Sequence, residues 1–245
     1  MSSTSGASAS GGGGVDVELQ ADGRISEQKK AMRKQVKLGL REMTGEAVDA
    51  ASAAVAERLL ACPQLQQVAD EGQQAGVSVY LSMPGELGTA AIISELFKRG
   101  KKVYIPKVMG PASADMRMFP LRSLEEVASF PLTKWKIPEP PEDLVLSRED
   151  GVIEGDIGVV VAPGLAFDSG CNRLGHGRGY YDCFFERVSK ASKEKGRPPP
   201  VAMGVCFDQQ VVECVPTVAS DVRLDFVLTP TRTFKREQEV EGSGV

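Results

Sequence analysis

The sequence predicts an α/β protein, a three-layer αβα sandwich whose sheet is mostly parallel, preceded by N-terminal helices. Three observations carry that expectation. Short apolar runs of strand length alternate with helical patterns along the chain. The run Ile157–Ala162 is apolar almost throughout, the pattern of a strand buried on both faces of a parallel sheet. A glycine-rich stretch follows that run and leads into a helical pattern, as connections in parallel sheets do.

The elements follow in order. Residues 1–24 are rich in Ser, Gly and Ala, with Gly11 to Gly14 in a row, and are expected as a disordered leader that buries too little apolar surface to offset ordering entropy. Residues 25–235 are expected as a single domain and 236–245 as a flexible tail. From Ser26 to about Ala61 the spacing of Met32, Val36 and Leu40, then of Val48, Val55 and Leu59, predicts helix broken near Thr44-Gly45 and closed by Pro63. Val77–Leu81 reads as a strand, Thr89–Arg99 as a helix ended by Gly100, and Lys102–Ile105 as a strand ended by Pro106. Met116–Phe119 reads as a short strand, and Ser123 with Glu126 forms a capping-box pattern. The proline-rich segment 131–141 must be an extended loop. A helix over about 179–195 and strands at Val201–Cys206 and Phe226–Leu228 complete the pattern.

Composition narrows the function classes. The chain has 245 residues, 42% hydrophobic and 25% charged, enough for a substantial core. A net charge of −4 does not indicate a nucleic-acid-binding surface, and no apolar run is long enough to cross a bilayer. Neither nucleic acid nor membrane is therefore expected as a partner. Five cysteines without a CxxC pair fit reduced thiols. His176 is the sole histidine, which argues against a His-rich metal site or a Ser-His-Asp triad. The first residues lack the apolar core of a secretory signal, and Arg24 follows Asp16, Glu18 and Asp22, so a cytoplasmic location is expected. A monomer is the default.

The chemistry concentrates in Asn172-Arg173-Leu174-Gly175-His176-Gly177-Arg178-Gly179-Tyr180-Tyr181-Asp182. It lies beyond the carboxyl end of the buried strand, where open α/β sheets bind ligands. Alternating Gly175, Gly177 and Gly179 let the backbone bend close to an anion, and Arg173, Arg178 and a helix N-terminus favour phosphate. The loop is neither a Walker A motif nor a dinucleotide fingerprint. Asp182 reads either as a first-turn acid stabilised by the helix dipole or as a Mg²⁺ ligand beside phosphates. Asp225, an acid in a strand region, is a second metal candidate. Lys29, Lys30, Arg33, Lys34 and Lys37 form a basic run whose default reading is a solvated face. Glu86 lies in the loop after a strand and is either solvent-facing or a partner for a heterocycle's N–H groups. Trp135, the sole tryptophan, either stacks on an aromatic ligand or anchors its loop.

The Asn172–Asp182 segment strongly resembles the signature of the 5-formyltetrahydrofolate cyclo-ligase (methenyltetrahydrofolate synthetase) family. Lys29-Lys30-Ala31-Met32-Arg33 resembles the family's N-terminal Lys-x-x-Leu-Arg, Tyr80–Met83 with Glu86 and Thr89 its folate-site segment, and Trp135–Pro140 its Trp-x-Ile-Pro-x-Pro stretch. Gly204, Phe207, Gln210 and Asp225 follow in order, so the likeness spans about Gln28 to Leu228. His176 stands where Arg is familiar.

The resemblance implies a three-layer α/β fold and a carbon–nitrogen ligase that uses ATP as co-substrate and Mg²⁺ as cofactor. In that reaction the formyl oxygen of 5-formyltetrahydrofolate attacks the γ-phosphate, and the neighbouring folate nitrogen captures the phosphorylated formyl intermediate. The products are 5,10-methenyltetrahydrofolate, ADP and phosphate. Carried onto this sequence, the resemblance assigns Lys29, Arg33 and the loop residues Arg173, Leu174, Gly175, His176, Gly177, Arg178, Gly179, Tyr180 and Tyr181 to ATP. Arg178 and Tyr181 would act in catalysis. Leu81, Glu86 and Trp135, with Gly177, Gly179 and Tyr180, would bind the folate, and Asp182 and Asp225 the metal.

Overall fold

In the computed structural model, which describes residues 13–70, 76–134 and 136–237, the central strands are buried along nearly their whole length, as their near-continuous apolar runs foreshadow. The sheet has seven strands in the order β3-β2-β1-β4-β7-β8-β9. These are β1 (Gly76–Val79), β2 (Val103–Val108), β3 (Met116–Leu121), β4 (Ile157–Ala162), β7 (Val201–Val205), β8 (Phe226–Leu228) and β9 (Thr233–Lys235). The central five are parallel, and β3 and β9 close the edges antiparallel. Two further strands, β5 (Ala166–Phe167) and β6 (Arg173–Leu174), form a separate hairpin.

Val77, Val79, Val159, Val161, Met203 and Val205 turn to one face, where they join Val55 and Leu59 of α2 (Gly45–Leu60) and Ile92, Ile93 and Leu96 of α4 (Ala90–Lys98). Ile157, Val160, Ala162, Ala202 and Val227 turn to the other, against Val152 of α7 (Gly151–Glu154) and Phe184, Phe185 and Val188 of α8 (Tyr180–Glu194). Helices on both faces of a mostly parallel sheet make the expected three layers. Thr44 caps α2 by accepting from the Ala47 N–H at 3.2 Å, and Ser123 caps the short α5 (Leu124–Ser129) through the Glu126 N–H. Glu126 returns the bond to the Arg122 N–H, one residue before the position a regular capping box uses.

Several expectations are corrected. Helix α1 runs from Gly13 to Leu40, so residues 13–24 begin a helix rather than belonging to a disordered leader, while 1–12 lie outside the described residues. Glu18, Leu19, Gln20 and Ala21 are good helix formers, and extending a nucleated helix gains one bond per residue fixed. Pro63 does not simply close α2; it opens α3 (Pro63–Asp70), because the first helical position needs no N–H. Strand β2 passes through Pro106. Pro106 faces Met118 across the β2–β3 ladder, while the Met118 N–H turns outward to Asp150 Oδ1, so this is a pair that exchanges no ladder bonds. The pairing of β2 with β1 has already ended at Tyr104. The short α6 (Glu142–Leu146), α7, the β5–β6 hairpin and β9 were not foreseen. Of the expected tail, 238–245 lie outside the described residues.

Candidate functional site

The strand order places a topological switch between β1 and β4. From β1 the chain passes through α4 to β2 on one side; from β4 it passes through the hairpin and α8 to β7 on the other. The crevice beyond the carboxyl ends of β1 and β4 is where such sheets hold ligands.

The wall on the β4 side is built by the hairpin. Asp168 is buried and its carboxylate accepts from the Asn172 N–H at 3.0 Å and the Val215 N–H at 2.9 Å, closing the turn in which Cys171 adopts φ 65°. Phe167 lies over Gly204 of β7, where a Cβ would meet the ring at 2.6 Å. Gln210 is buried; its amide donates to the carbonyls of Gly164 at 2.7 Å and Leu165 at 3.2 Å, and its carbonyl accepts from the Phe207 N–H. The loop that follows is therefore anchored at its root.

Gly177 (φ 97°) and Gly179 (φ 71°) hold the left-handed backbone that glycine adopts without penalty. Gly179 caps α8 without a side-chain bond, leaving the first-turn N–H groups open to an anion. From α1, Arg33 Nε donates to the Gly175 carbonyl at 2.9 Å, and its guanidinium lies against Gly177. Lys29, one turn earlier on the same face, pairs at 2.5 Å with Asp221 Oδ2. His176 and Arg178 are exposed at the loop. Partial desolvation, with Lys37, Arg33 and Arg173 nearby, pushes the His176 pKa below its usual 6.5.

Behind the loop, Arg173 is buried and turned inward. Its Nη2 donates to Asp182 Oδ1 at 3.0 Å, its Nη1 donates to the Pro163 carbonyl at 3.3 Å, and its guanidinium sits 5.4 Å from the Tyr181 ring centroid. Leu174 is buried against Val36, Ala166 and Val215. Tyr180 ties the loop to the β2–β3 turn by donating to the Gly110 carbonyl at 3.0 Å. The Tyr181 hydroxyl is buried without a hydrogen-bond partner. Burial raises its pKa, opposed by Arg173 and aided by the carboxylate of Glu86.

The opposite wall follows β1. Thr89 donates to the Tyr80 carbonyl at 2.6 Å, and Tyr80 donates to the Leu87 carbonyl at 3.0 Å, folding the 81–88 loop back on the strand. Glu86 Oε2 accepts from the Met83 N–H at 3.0 Å. Desolvation raises the Glu86 pKa, partly offset by that bond, and its charge acts on both Tyr80 and Tyr181. Leu81 is half-buried beside the β1-side core. Trp135 lies outside the described residues.

The structure thus links Arg33 to the glycine loop, Arg173 to both Asp182 and Tyr181, and Tyr181 to the charge of Glu86, but it does not bring Asp225 to Asp182. Asp182 stands in the first turn of α8, near the carboxyl edge of the sheet. Asp225 precedes β8 at the amino edge, where Oδ2 accepts from the Ala202 N–H at 2.8 Å and Oδ1 pairs with Arg236 at 2.7 Å. That carboxylate is already occupied in joining β7 to the β8–β9 edge. Among the described residues no group of three or more His, Cys, Asp or Glu is arranged for a metal. Asp182 is a better fit to Mg²⁺, which takes one or two carboxylates and completes its shell with phosphate and water. The sequence reading missed Asp221 as the partner of Lys29 and the Val222 N–H near Asp182 Oδ1 at 3.4 Å, because isolated loop acids carry no periodic signal.

The sequence profile of the 5-formyltetrahydrofolate cyclo-ligase family matches residues 25–230. The chain belongs to this family. It is a ligase, of a family that converts 5-formyltetrahydrofolate to 5,10-methenyltetrahydrofolate. It is 32% identical over 204 residues to 5-formyltetrahydrofolate cyclo-ligase of Mus musculus, covering 83% of this chain and 94% of that protein. It is 34% identical over 163 residues to the enzyme of that name from Escherichia coli, covering 65% of this chain and 80% of the other. Among solved structures, the 5,10-methenyltetrahydrofolate synthetase of Aquifex aeolicus superimposes with a TM-score of 0.63 at 26% identity, covering 88% of this chain and 98% of that one.

Proposed function

We propose that this ligase closes the folate ring at the expense of ATP, with Mg²⁺, in the crevice between β1 and β4. One observation carries the reading: a buried hydroxyl without a partner, that of Tyr181, stands in the field of the Glu86 carboxylate and the Arg173 guanidinium, immediately behind an uncapped glycine loop. A polar atom left unsatisfied in a core costs stability unless a ligand completes it.

In this reading, Glu86 pairs with the polar edge of the pterin, with Leu81 and Trp135 beside it. The Tyr181 hydroxyl donates to the bound substrate. Lys29, Arg33, His176, Arg178 and the N–H groups of Gly175, Gly177, Gly179 and Tyr180 hold the triphosphate; Gly177, Gly179 and Tyr180 also border the formyl end of the folate. Arg173 and Leu174 serve from behind, Arg173 by orienting Asp182 and Leu174 by fixing the loop in the core. The formyl oxygen attacks the γ-phosphorus as the bond to ADP breaks. The second folate nitrogen then attacks the phosphorylated formyl carbon, loses its proton, and expels phosphate. Arg178, exposed at the loop, meets the charge that develops on the transferred group. Asp182 would hold Mg²⁺, which when bound neutralises phosphate charge. The chain's own contribution is positioning and electrostatics, with no protein nucleophile.

No helix among the described residues is long and apolar enough to cross a membrane. A cytoplasmic monomer that takes only these small-molecule partners, and no nucleic acid, completes the proposal. The reading is tested by replacing Asp182 with Asn: loss of Mg²⁺-dependent product formation with a folded protein is expected, and wild-type turnover would reject the assignment.

A further inference from the structure

His176 is the only histidine of the chain, and it stands in the middle of the glycine loop. The residues on either side of it are both held by Arg33 of α1, whose Nε donates to the Gly175 carbonyl at 2.9 Å and whose guanidinium lies against Gly177. The imidazole is therefore set beside α1, on the exposed part of the loop. Lys37, one helical turn beyond Arg33, acts on it from the same helix, and Arg173 acts on it from β6. Arg178 follows two residues later on the loop itself. Among the described residues, the charged groups that act on His176 are all cations, with no carboxylate to balance them. Desolvation and these cations together oppose a charge on the ring, so the empty site favours neutral imidazole at neutral pH. A cluster that repels a proton when empty attracts one when a polyanion lies across it, because the sign of the surrounding charge is reversed.

We infer that His176 binds the nucleotide as an imidazolium: the ring is neutral in the empty site and takes up one proton when the triphosphate enters. The inference rests on reading the glycine loop as the phosphate cradle. The proton comes from solvent and stays on an imidazole nitrogen, which becomes a charge-assisted donor to a phosphate oxygen; no bond of ATP breaks in this step. Linkage fixes the direction of the effect. Nucleotide raises the pKa of the ring, so the His176 contribution to affinity is full below the pKa of the empty site and is lost as pH rises through the pKa of the complex. The alternative, a neutral ring that donates its one N–H to phosphate, takes up no proton and leaves affinity independent of the ring's titration.

A sole histidine makes the test direct, since its ring Cε1–H gives one imidazole signal. That signal is followed by NMR against pH in untagged, 13C-labelled protein, without ligand and with saturating ATP and Mg²⁺. The midpoint is expected below the ordinary 6.5 without nucleotide. With nucleotide it should stand at least about one pH unit higher, equivalent to a tenfold preference for the charged ring. KM for ATP at saturating 5-formyltetrahydrofolate gives a second readout, with H176Q as the ring that never charges and H176R as the charge that never leaves. The ratio of KM for H176Q to KM for the wild type should grow from near one above about pH 8 to about tenfold near pH 6. H176R should match the wild type at the acid end and bind ATP more tightly at the alkaline end. Taking ratios at each pH removes the titration of ATP itself. A midpoint that nucleotide leaves unmoved, or an H176Q profile parallel to that of the wild type, overturns the proton uptake while leaving the loop as the phosphate cradle. Turnover that does not need ATP would instead remove the cradle reading on which the inference rests. Should H176Q not fold, the NMR titration of the wild type decides alone.

Discussion

Replacing Tyr181 with Phe separates what this site costs from what it does. The ring is fixed by an edge contact to Phe184 and a tilted contact to Phe185, centroids 6.1 Å and 6.2 Å away, and by the Arg173 guanidinium, none of which needs the hydroxyl. The hydroxyl, buried without a partner, is hydrated only in the unfolded chain. Its removal should therefore stabilise the ligand-free protein by about 1–2 kcal/mol, the usual penalty for an unsatisfied buried polar group. For a domain of this size that is a rise of roughly 3–6 °C in Tm. Denaturant unfolding without ligand reads the stability, and methenyltetrahydrofolate formation reads the function. The expected result is a more stable and slower enzyme, with kcat lower by at least about tenfold if the hydroxyl bonds the substrate in the transition state. A less stable Y181F would refute the reasoning, since it would mean that the hydroxyl has a partner inside the fold.

Glu86→Gln tests the other wall through pH. The folded pKa of Glu86 is raised by desolvation, so its ionised form is less stable in the fold than in the unfolded chain. Wild type should therefore be less stable than E86Q at neutral pH, and the gap should close as pH falls through the raised folded pKa toward the ordinary 4.5; thermal melts across that range read it, and a gap that widens on acidification would contradict the burial. The same variant should raise KM for the folate while leaving KM for ATP near wild type. Asp182→Asn leaves the buried Arg173 facing an amide and should cost about 1–2 kcal/mol by urea unfolding, discounted for the partial exposure of Asp182, in addition to turnover. Asp225→Asn should weaken the β7–β8–β9 edge and lower Tm without changing the Mg²⁺ concentration for half-maximal rate; a large rise in that concentration would restore Asp225 as a metal ligand.

How far the sequence could be read depended on the length scale of each signal. β4 was plain because six residues in a row are apolar or glycine and face two layers, and α8 because a glycine loop opens it. The crevice followed from those two elements. Pro63 and Pro106 misled for one physical reason: a proline breaks an element only where its N–H is required. The first position of α3 does not require it, nor does the outward side of β2 beyond its pairing with β1. Among site residues, the loop was legible as a phosphate cradle, but the inward turn of Arg173 was not, since spacing does not say which way a guanidinium points. Asp225 attracted attention as an acid near a strand; its carboxylate instead joins strands at the amino edge. Asp221 carried no signal at all, because its contact with Lys29 joins residues 192 positions apart.

The most direct test of the central claim is a spectrophotometric assay at the absorbance of methenyltetrahydrofolate, with purified protein, 5-formyltetrahydrofolate, ATP and Mg²⁺. The account expects product only when all three are present, with one ADP released per ring closed. Product formed without ATP, or none from folded protein with all three, would contradict it.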